Sequence, residues 1–471
     1  MKNIIKIILV SKPLYKILAL IAFLIVLSAG LELAAPLVSK LIVDNIVSQI
    51  STGSGDLKSL TNLIILTFVL SFLGIIISGL SDRIGDHFAG LQRKFLTEKF
   101  YNKILSLPQT YFDSEMSGKI INQLSRGIGT IQNFTNAATN FILPSFLQSI
   151  LIIVVLARYN PLIALCVFIL FPIYLALSYY SSIQWGKSEV KKNKLEDILR
   201  GRLQEVIGNI RIVKGFLTEK MEYVFASDKL TEINKIFAVQ SSTYHWIDFG
   251  RNFSLIVILL GINILIFYQT FNGAMTLGVM VLIIQLVLQA RRPLFAMSFI
   301  LTQLQNAESG SKEFFEILEL PEKENFDVKN IVRKLVNPSL EFKNVAFNYS
   351  DSGDVLTGVS FKINPKEKVA LVGHSGAGKT TITNLILKLY DPTGGEIMLS
   401  DKKFKDLGFR EVRQNISLVF QENELFSTSI RENVAYGTRA TESQIISAIK
   451  SANAWDFVQK LPHGIDSQIG E

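Results

Sequence analysis

A glycine-rich loop from Gly373 to Thr380 has the residue types and spacing of a phosphate-binding turn, G-x-x-x-x-G-K-T. A run of strand-forming residues, Val369–Val372, precedes it, and a helix-like segment, 381–389, follows directly. Strand, glycine loop and helix in this order are the context that a P-loop requires. Glycines let several backbone N–H groups point into one concavity, at the positive end of the following helix. The sequence therefore predicts a site for the phosphates of a nucleotide.

Two side chains of this motif have separate predicted roles. Lys379 is placed to reach the β- and γ-phosphates, and Thr380 to offer its hydroxyl to Mg²⁺, so ATP and Mg²⁺ are the expected ligands. His374 occupies a variable position of the motif and is assigned no chemistry. The predicted nucleotide-binding residues of the loop and the helix start are Gly373, Ser375, Gly376, Ala377, Gly378, Lys379, Thr380 and Thr381.

Composition indicates a membrane protein that carries a water-soluble part. Hydrophobic residues make up 49% of the 471 positions and charged residues only 19%. This length predicts at least two domains. The single cysteine, Cys166, excludes a disulfide within the chain.

Six apolar runs are long enough to cross a hydrocarbon core of about 30 Å. They lie near residues 17–37, 60–80, 137–157, 162–180, 247–267 and 277–297. The links after the second and fourth runs are long and rich in Lys and Arg, whereas the other links are short or nearly uncharged. The positive-inside rule therefore places both long links and both chain ends in the cytoplasm.

The net charge of +8 follows from these basic links, so it does not call for a nucleic-acid partner, and none is expected. Residues 1–16 mix lysines with Ile and Leu and are interpreted as an amphipathic segment on the cytoplasmic face of the membrane.

The chain changes character after the sixth run. We predict a transmembrane domain over 17–312, a polar linker over 313–339 and part of a nucleotide-binding domain over 340–471. Short β-prone runs mark the last domain as α/β, and they are Leu340–Phe347, Val359–Ile363, Val369–Val372, Glu396–Leu399 and Ile416–Val419.

Six spans, two long cytoplasmic links and a P-loop domain together resemble an ABC exporter half-transporter with fused membrane and nucleotide-binding domains. Further stretches match that family's pattern: Phe347–Tyr349, Leu389–Ile397, Val419–Phe426, Leu461–Gly464, and, in the two links, Tyr111–Gly118 and Glu205–Phe216. The resemblance implies that Tyr349 stacks on adenine. It implies that Gln421 meets Mg²⁺ or the attacking water, so that Lys379 and Gln421 serve catalysis and Thr380 and Gln421 the metal. The two link segments are then the parts that press on the nucleotide-binding domains.

The same resemblance implies a multi-domain membrane protein, in which an all-α six-helix transmembrane domain precedes a partial α/β P-loop NTPase domain. Its expected function is ATP-driven export of an amphipathic small molecule, lipid or peptide by alternating access. The expected location is the plasma membrane, or inner membrane of a bacterium. The expected partners are the lipid bilayer, the transported substrate and a second half-transporter, in a homodimer or a heterodimer.

The sequence departs from the family pattern after Thr381. It lacks an apolar run that ends in an acidic pair, a signature resembling Leu-Ser-Gly-Gly-Gln, and a later catalytic histidine, since His463 belongs to the Leu-Pro-His-Gly stretch. We therefore interpret the chain as truncated before the signature and expect no ATP hydrolysis by this chain alone. A shortened regulator, or an ATP-gated channel that does not hydrolyse ATP, is the alternative.

Polar residues inside the spans are the candidates for substrate binding. Gln285, Gln289 and Arg292 recur at helical spacing, so they share one helix face. This face either lines a cavity that attracts an anionic or amphipathic molecule, or ends in arginines that anchor the helix at the membrane boundary. Glu32 and the Asp248–Asn252 segment are interpreted as groups at the membrane interface.

Overall fold

A computed structural model describes residues 2–114, 117–324, 335–349, 353–419 and 425–469. The chain divides into two compact units, Met1–Asn325 and Phe326–Glu471, which are described separately. The boundary between them lies inside the segment predicted as a linker.

The described part of the first unit is helical, and most of its helices are very long. The α-helices are α1 (Lys2–Val10), α2 (Tyr15–Thr52), α3 (Leu57–Leu105), α4 (Gln109–Ser114), α5 (Ser117–Ala137), α6 (Leu143–Tyr159), α7 (Pro161–Gly208), α8 (Ile210–Gly215), α9 (Glu219–Phe271), α10 (Leu277–Gly310) and α11 (Lys312–Glu319). A π-helical segment, Ala138–Ile142, joins α5 to α6.

Six continuous helical stretches in the described residues are long and apolar enough to cross a membrane. Each contains one of the six predicted spans, which confirms that prediction. Large apolar side chains cover their outer faces, as on α3, where Phe68 is 70% exposed and Ile75 is 72% exposed. An outward apolar surface suits contact with lipid, because lipid tails, unlike water, do not disfavour it.

Short links are closed by polar caps. The Asp56 carboxylate accepts hydrogen bonds from the backbone N–H groups of Lys58 and Ser59 at the start of α3. Asn160 caps α7 in the same way, and its Nδ2 also donates to Gln269 Oε1 at 2.7 Å. These caps satisfy the backbone donors that a helix start leaves without partners.

The two largest apolar cores of the described helices hold much of the bundle together. One joins α2, α6, α7, α9 and α10 through fully buried residues that include Ile152, Ile163 and Leu286. The other joins α1, α3, α5, α10 and α11 and includes Phe100 and Phe314.

The segment predicted as a linker begins with α11, a helix whose buried residues are Phe314, Phe315 and Ile317; the linker boundaries themselves stay a prediction. Phe314 of α11 is fully buried and stacks on Phe100, with 5.3 Å between ring centroids. A Cβ on Gly127 of α5 would lie 2.6 Å from the Phe314 Cβ, so only glycine permits this approach. The polar composition of this stretch comes from the other face of α11, where Lys312, Glu316 and Glu319 are exposed.

Ion pairs surround this helix. Lys6 pairs with Glu319, Arg126 with Glu313, and Lys103 with Glu322. The backbone N–H of Asn3, at the start of α1, donates to Glu308 Oε2 at 3.1 Å. The predicted amphipathic segment at the N-terminus thus contains a helix that packs on the end of α10.

The second unit contains a small antiparallel sheet. Its strands are β1 (Leu340–Phe347), β2 (Leu356–Ile363), β3 (Gly394–Leu399) and β4 (Lys402–Lys403), in the order β2-β1-β3-β4. Helix α12 (Lys379–Ile386) shares one apolar core with this sheet. The predicted runs that begin at Leu340, Val359 and Glu396 are confirmed as strands.

Short helices complete the second unit. They are α13 (Phe409–Arg413), α14 (Ile430–Val434), α15 (Glu442–Ser451) and α16 (Trp455–Val458). Capping boxes begin α14 and α15, at Ser429 and Thr441. The Arg431 guanidinium donates to Asp466 Oδ1 at 2.6 Å and lowers the pKa of that carboxyl.

Two predicted strands are absent. Val369–Val372 and Ile416–Val419 form no ladder with other described residues, and Val372 and Val419 are 90% and 94% exposed. A strand needs backbone partners as well as strand-forming side chains. Neither run pairs with the described edge strands of the sheet, β2 and β4, so strand propensity alone did not specify a partner for them.

We predict that Phe314→Ala strongly destabilises the first unit. Truncating a buried phenylalanine typically costs about 3–5 kcal/mol, whereas the control Phe68→Ala removes a ring that is mostly exposed. The measurement is the apparent melting temperature of detergent-solubilised protein, followed by size-exclusion chromatography after heating. Equal melting temperatures for the two variants would show that α11 does not support the bundle.

Candidate nucleotide-binding site

The conformation of the glycine loop depends on residues without side chains. Gly376 and Gly378 both have φ of +83°, a region that other residues rarely adopt. A Cβ on Gly378 would also lie 2.6 Å from Leu356 Cδ2. The Ala377 N–H donates to the His374 carbonyl at 3.2 Å and closes the turn. The loop therefore packs tightly against the sheet and leads directly into α12.

Lys379 folds back across this turn. Its Nζ donates to the carbonyl oxygens of Gly373 and His374 at 2.8 and 2.7 Å. A positive charge is thus held over the loop, at the N-terminal end of α12, where the helix dipole is also positive. This arrangement fits a polyphosphate, and Lys379 and the loop glycines are the residues that would hold it.

The two threonines after the lysine differ in environment. Thr380 is exposed, so its hydroxyl is available to a ligand, whereas Thr381 is buried. The Thr381 Oγ1 lies 3.4 Å from the hydroxyl of Tyr349. The structure therefore brings Tyr349 to the start of α12, although Thr381 lies 32 positions further along the chain.

Tyr349 belongs to an aromatic cluster at the edge of this site. Its half-buried ring lies edge-on to Phe347 and to Tyr390, with centroids 4.8 and 5.3 Å apart. Tyr390 is a supporting residue that the sequence analysis missed; the only signal was an aromatic residue directly after the P-loop helix. Stacking of Tyr349 on adenine stays a prediction.

Gln421 lies outside the described residues, so its predicted role in binding Mg²⁺ and water stays a prediction. The described segment after it is held by Asn433, whose Oδ1 accepts from Phe426 N–H at 2.9 Å. The Asn433 Nδ2 donates to the carbonyl oxygens of Phe426 and Ser429, both at 3.0 Å. Asn433 was also missed, since a single asparagine gives no spacing pattern.

In the described parts of the chain, no three His, Cys, Asp or Glu side chains come together as a metal cluster. Mg²⁺ is seldom bound by protein ligands alone and usually also takes oxygens from phosphates and water. Coordination by the phosphates of a nucleotide and the hydroxyl of Thr380 would fit this preference.

The polar residues of the spans differ in how far they are buried. Arg251 on α9 is only 3% exposed; it pairs with Asp248, and its Nη1 donates to Ser178 at 3.0 Å. It is therefore buried between helices; its position at the membrane interface stays a prediction. On α10, Arg292 is exposed and lines a cavity, whereas Gln289 has a buried Oε1 without a hydrogen-bond partner among the described residues.

A helical six-span unit and a unit with a P-loop, on one chain, define a class of membrane protein that uses nucleotides. The model of the ABC transporter transmembrane region matches residues 18–294, more than half of the chain, and the ABC transporter model matches residues 356–468. The chain belongs to the ABC transporter family.

Relatives of known name agree with this assignment. The chain is 28% identical to an ATP-dependent lipid A-core flippase of Syntrophus aciditrophicus, over 80% of this chain and 63% of the relative. It is 26% identical to the putative multidrug export ATP-binding/permease protein YgaD of Bacillus subtilis, over 98% of this chain and 80% of that protein. The chain thus spans less than two thirds of the length of the flippase.

A solved structure supports the fold. The structure of a bacterial Atm1-family ABC exporter with ATP bound aligns with a TM-score of 0.78 at 22% identity. The alignment covers 96% of this chain and 79% of that one. The predicted architecture, six membrane helices followed by a nucleotide-binding domain, is confirmed.

We predict that Tyr349→Ala weakens binding of ATP but not of inorganic tripolyphosphate. Loss of base stacking on an aromatic ring typically costs about 1–3 kcal/mol, or roughly 5- to 150-fold in affinity. Tyr349→Phe keeps the ring and is expected to keep the affinity for ATP. Isothermal titration of both ligands measures the difference.

Tyr436→Ala is the matched control, because Tyr436 is an exposed tyrosine of the same unit, stacked on Phe426. An equal loss of tripolyphosphate affinity in Tyr349→Ala would show that Tyr349 supports the loop and does not bind the base.

Proposed function

We propose that this chain is one half of an ATP-driven exporter, which moves an amphipathic small molecule, lipid or peptide across a membrane by alternating access. The observation that carries the proposal is the P-loop turn, with Lys379 held across it, on the same chain as six helices able to span a membrane. The names of the lipid A-core flippase and the multidrug export protein support the substrate class.

ATP is the substrate of the proposed reaction. The glycine-loop N–H groups and Lys379 bind its phosphates, and Lys379 neutralises charge on the β- and γ-phosphates. Bound Mg²⁺ supplies further charge neutralisation at these phosphates. Thr380 offers a hydroxyl to the metal, Gln421 orients the attacking water, and Tyr349 positions the base.

The proposed machine needs a second half-transporter, in a homodimer or a heterodimer, so that ATP can draw two nucleotide-binding domains together. The two long links transmit this closure to the membrane helices. The tip of the second link supports this role: after α8, Phe216 and Leu217 are 78% and 83% exposed. Exposed apolar residues in such a group are typical of a surface that contacts a partner.

The proposed setting is the plasma membrane, the inner membrane in a bacterium, with both chain ends in the cytoplasm. The basic residues of the two long links, after the second and fourth spans, support this orientation through the positive-inside rule.

We predict that Lys379→Ala abolishes transport by the full-length protein. Removing the charge that clamps the phosphates is expected to lower ATP-dependent uptake by at least about 100-fold, as loss of a single electrostatic stabiliser commonly does. Uptake of a labelled amphiphile into inside-out proteoliposomes, with ATP hydrolysis followed in parallel, is the measurement.

Lys460→Ala serves as the control, since Lys460 is an exposed lysine of the same unit. Wild-type uptake by Lys379→Ala would refute the proposed reaction. Nucleotide-dependent flux that never exceeds equilibrium and consumes no ATP would identify a channel in place of a pump.

A further inference from the structure

A cavity of about 830 Å³ lies between the π-helical segment, the end of α5, and α10. This volume is typical of sites for small molecules. Its described lining combines a polar side, an aromatic side and one charged residue, Arg292. A surface that only contacts lipid tails needs apolar side chains alone. The mixed lining of this cavity therefore indicates a site for a ligand with both a polar and an apolar part.

Asparagines form the polar side. Asn133, Asn136 and Asn140 all line the cavity. Asn140 is held in place, because its Nδ2 donates to Asp86 Oδ1 at 2.9 Å and its Oδ1 accepts from Thr139 Oγ1 at 3.0 Å. Asparagine amides carry N–H donors as well as an acceptor oxygen, and the N–H donors are the groups from which an anionic head can accept hydrogen bonds.

The backbone is unusual at the same place. Asn140 and Phe141 lie in the π-helical segment Ala138–Ile142, and both line the cavity. Such segments are rare and occur frequently at functional sites. On the other side of the cavity, Pro293 lies inside α10 directly after Arg292, and a proline within a helix removes one backbone hydrogen bond.

Three rings form the aromatic side: Phe141, Phe295 and Phe299. Phe141 and Phe299 are in edge-to-face contact, with centroids 5.7 Å apart. These rings suit the apolar part of a ligand, within reach of the polar side.

Charge decides which head group fits. Arg292 is the one charged side chain among the described residues of the lining. The nearby carboxylate of Glu32 on α2 interacts electrostatically with Arg292, but it does not line the cavity, and its Oε2 accepts from Gln148 at 2.7 Å. Asp86, the hydrogen-bond partner of Asn140, does not line the cavity either, so the charge of the described lining favours an anion over a cation.

We propose that this cavity binds an anionic amphiphile, whose phosphate, sulfonate or carboxylate head contacts Arg292 and the asparagines and whose apolar part packs on the three phenylalanines. This inference rests on the proposed export function and narrows its substrate class. The volume accommodates a drug-sized molecule or the head of a lipid.

The test uses thiol protection in the full-length protein in nanodiscs, without nucleotide. Cys166→Ser removes the native cysteine, and Asn133→Cys places a reporter at the exposed edge of the cavity. Octyl phosphate, octyltrimethylammonium and octyl glucoside share one chain length and differ in head charge. We expect octyl phosphate to slow maleimide labelling at a concentration at least tenfold below those of the other two probes.

Arg292→Gln is expected to raise the protecting concentration of octyl phosphate by about 10- to 100-fold, the range for loss of a hydrogen bond to a charged group. Arg158→Gln removes one exposed positive charge of the same unit outside the cavity lining and is expected to change nothing. A second reporter, Gln303→Cys in the same lining, is used if the first variant does not fold.

Equal protection by all three probes, or an unchanged protecting concentration in Arg292→Gln, would overturn the inference. Failure of the export proposal can be told apart from failure of this inference, because protection is measured without ATP. Absence of ATP-driven uptake together with intact, charge-selective protection would refute export but would still support the binding site.

Discussion

A lysine ammonium held over a glycine turn is the interaction on which the proposed activity depends. Lys379 contacts the carbonyl groups of Gly373 and His374, and the turn itself exists because Gly376 and Gly378 adopt a positive φ. The sheet adds a further constraint, since Leu356 leaves no room for a side chain at position 378. Local backbone chemistry and one packing contact thus place positive charge where the proposed polyphosphate would bind.

The helical unit meets a different constraint, because polar groups cannot be left unpaired where water is excluded. Long helices satisfy their own backbones, and side chains pair between helices. Gln92 on α3 illustrates this: its Nε2 donates to Ser11 Oγ and its Oε1 accepts from Thr135 Oγ1, both at 2.6 Å. Exceptions to this rule occur in the described residues: the buried oxygens of Gln123, Asn136 and Gln289 have no hydrogen-bond partner there.

The sequence predicted features that are set within one segment of the chain, and it did not predict features that depend on how separate segments pack together. The six spans and β1 were predicted correctly, because apolar length and strand propensity are properties of one segment. Val369–Val372 forms no described strand, because a strand also needs a neighbour that local propensity does not specify. In the site, the loop was recognisable from spacing alone, whereas the contact between Tyr349 and Thr381 depends on how β1 packs beside α12. Gln421 lies outside the described residues, so its role stays a prediction.

Helix α11 is attached to α1, α3 and α5. The free energies that its contacts typically contribute show which of them hold it in place. Its ion pairs, such as Lys6–Glu319, have an exposed carboxylate, and exposed pairs typically contribute about 0–1 kcal/mol. Phe314 is fully buried against Phe100, and such a ring contributes about 3–5 kcal/mol. The phenylalanine therefore fixes α11, and the ion pairs orient it. Helix α11 follows directly after α10, the helix that carries Arg292 and lines the cavity. A displacement of α11 must therefore either move α10 or break the contact between Phe314 and Phe100.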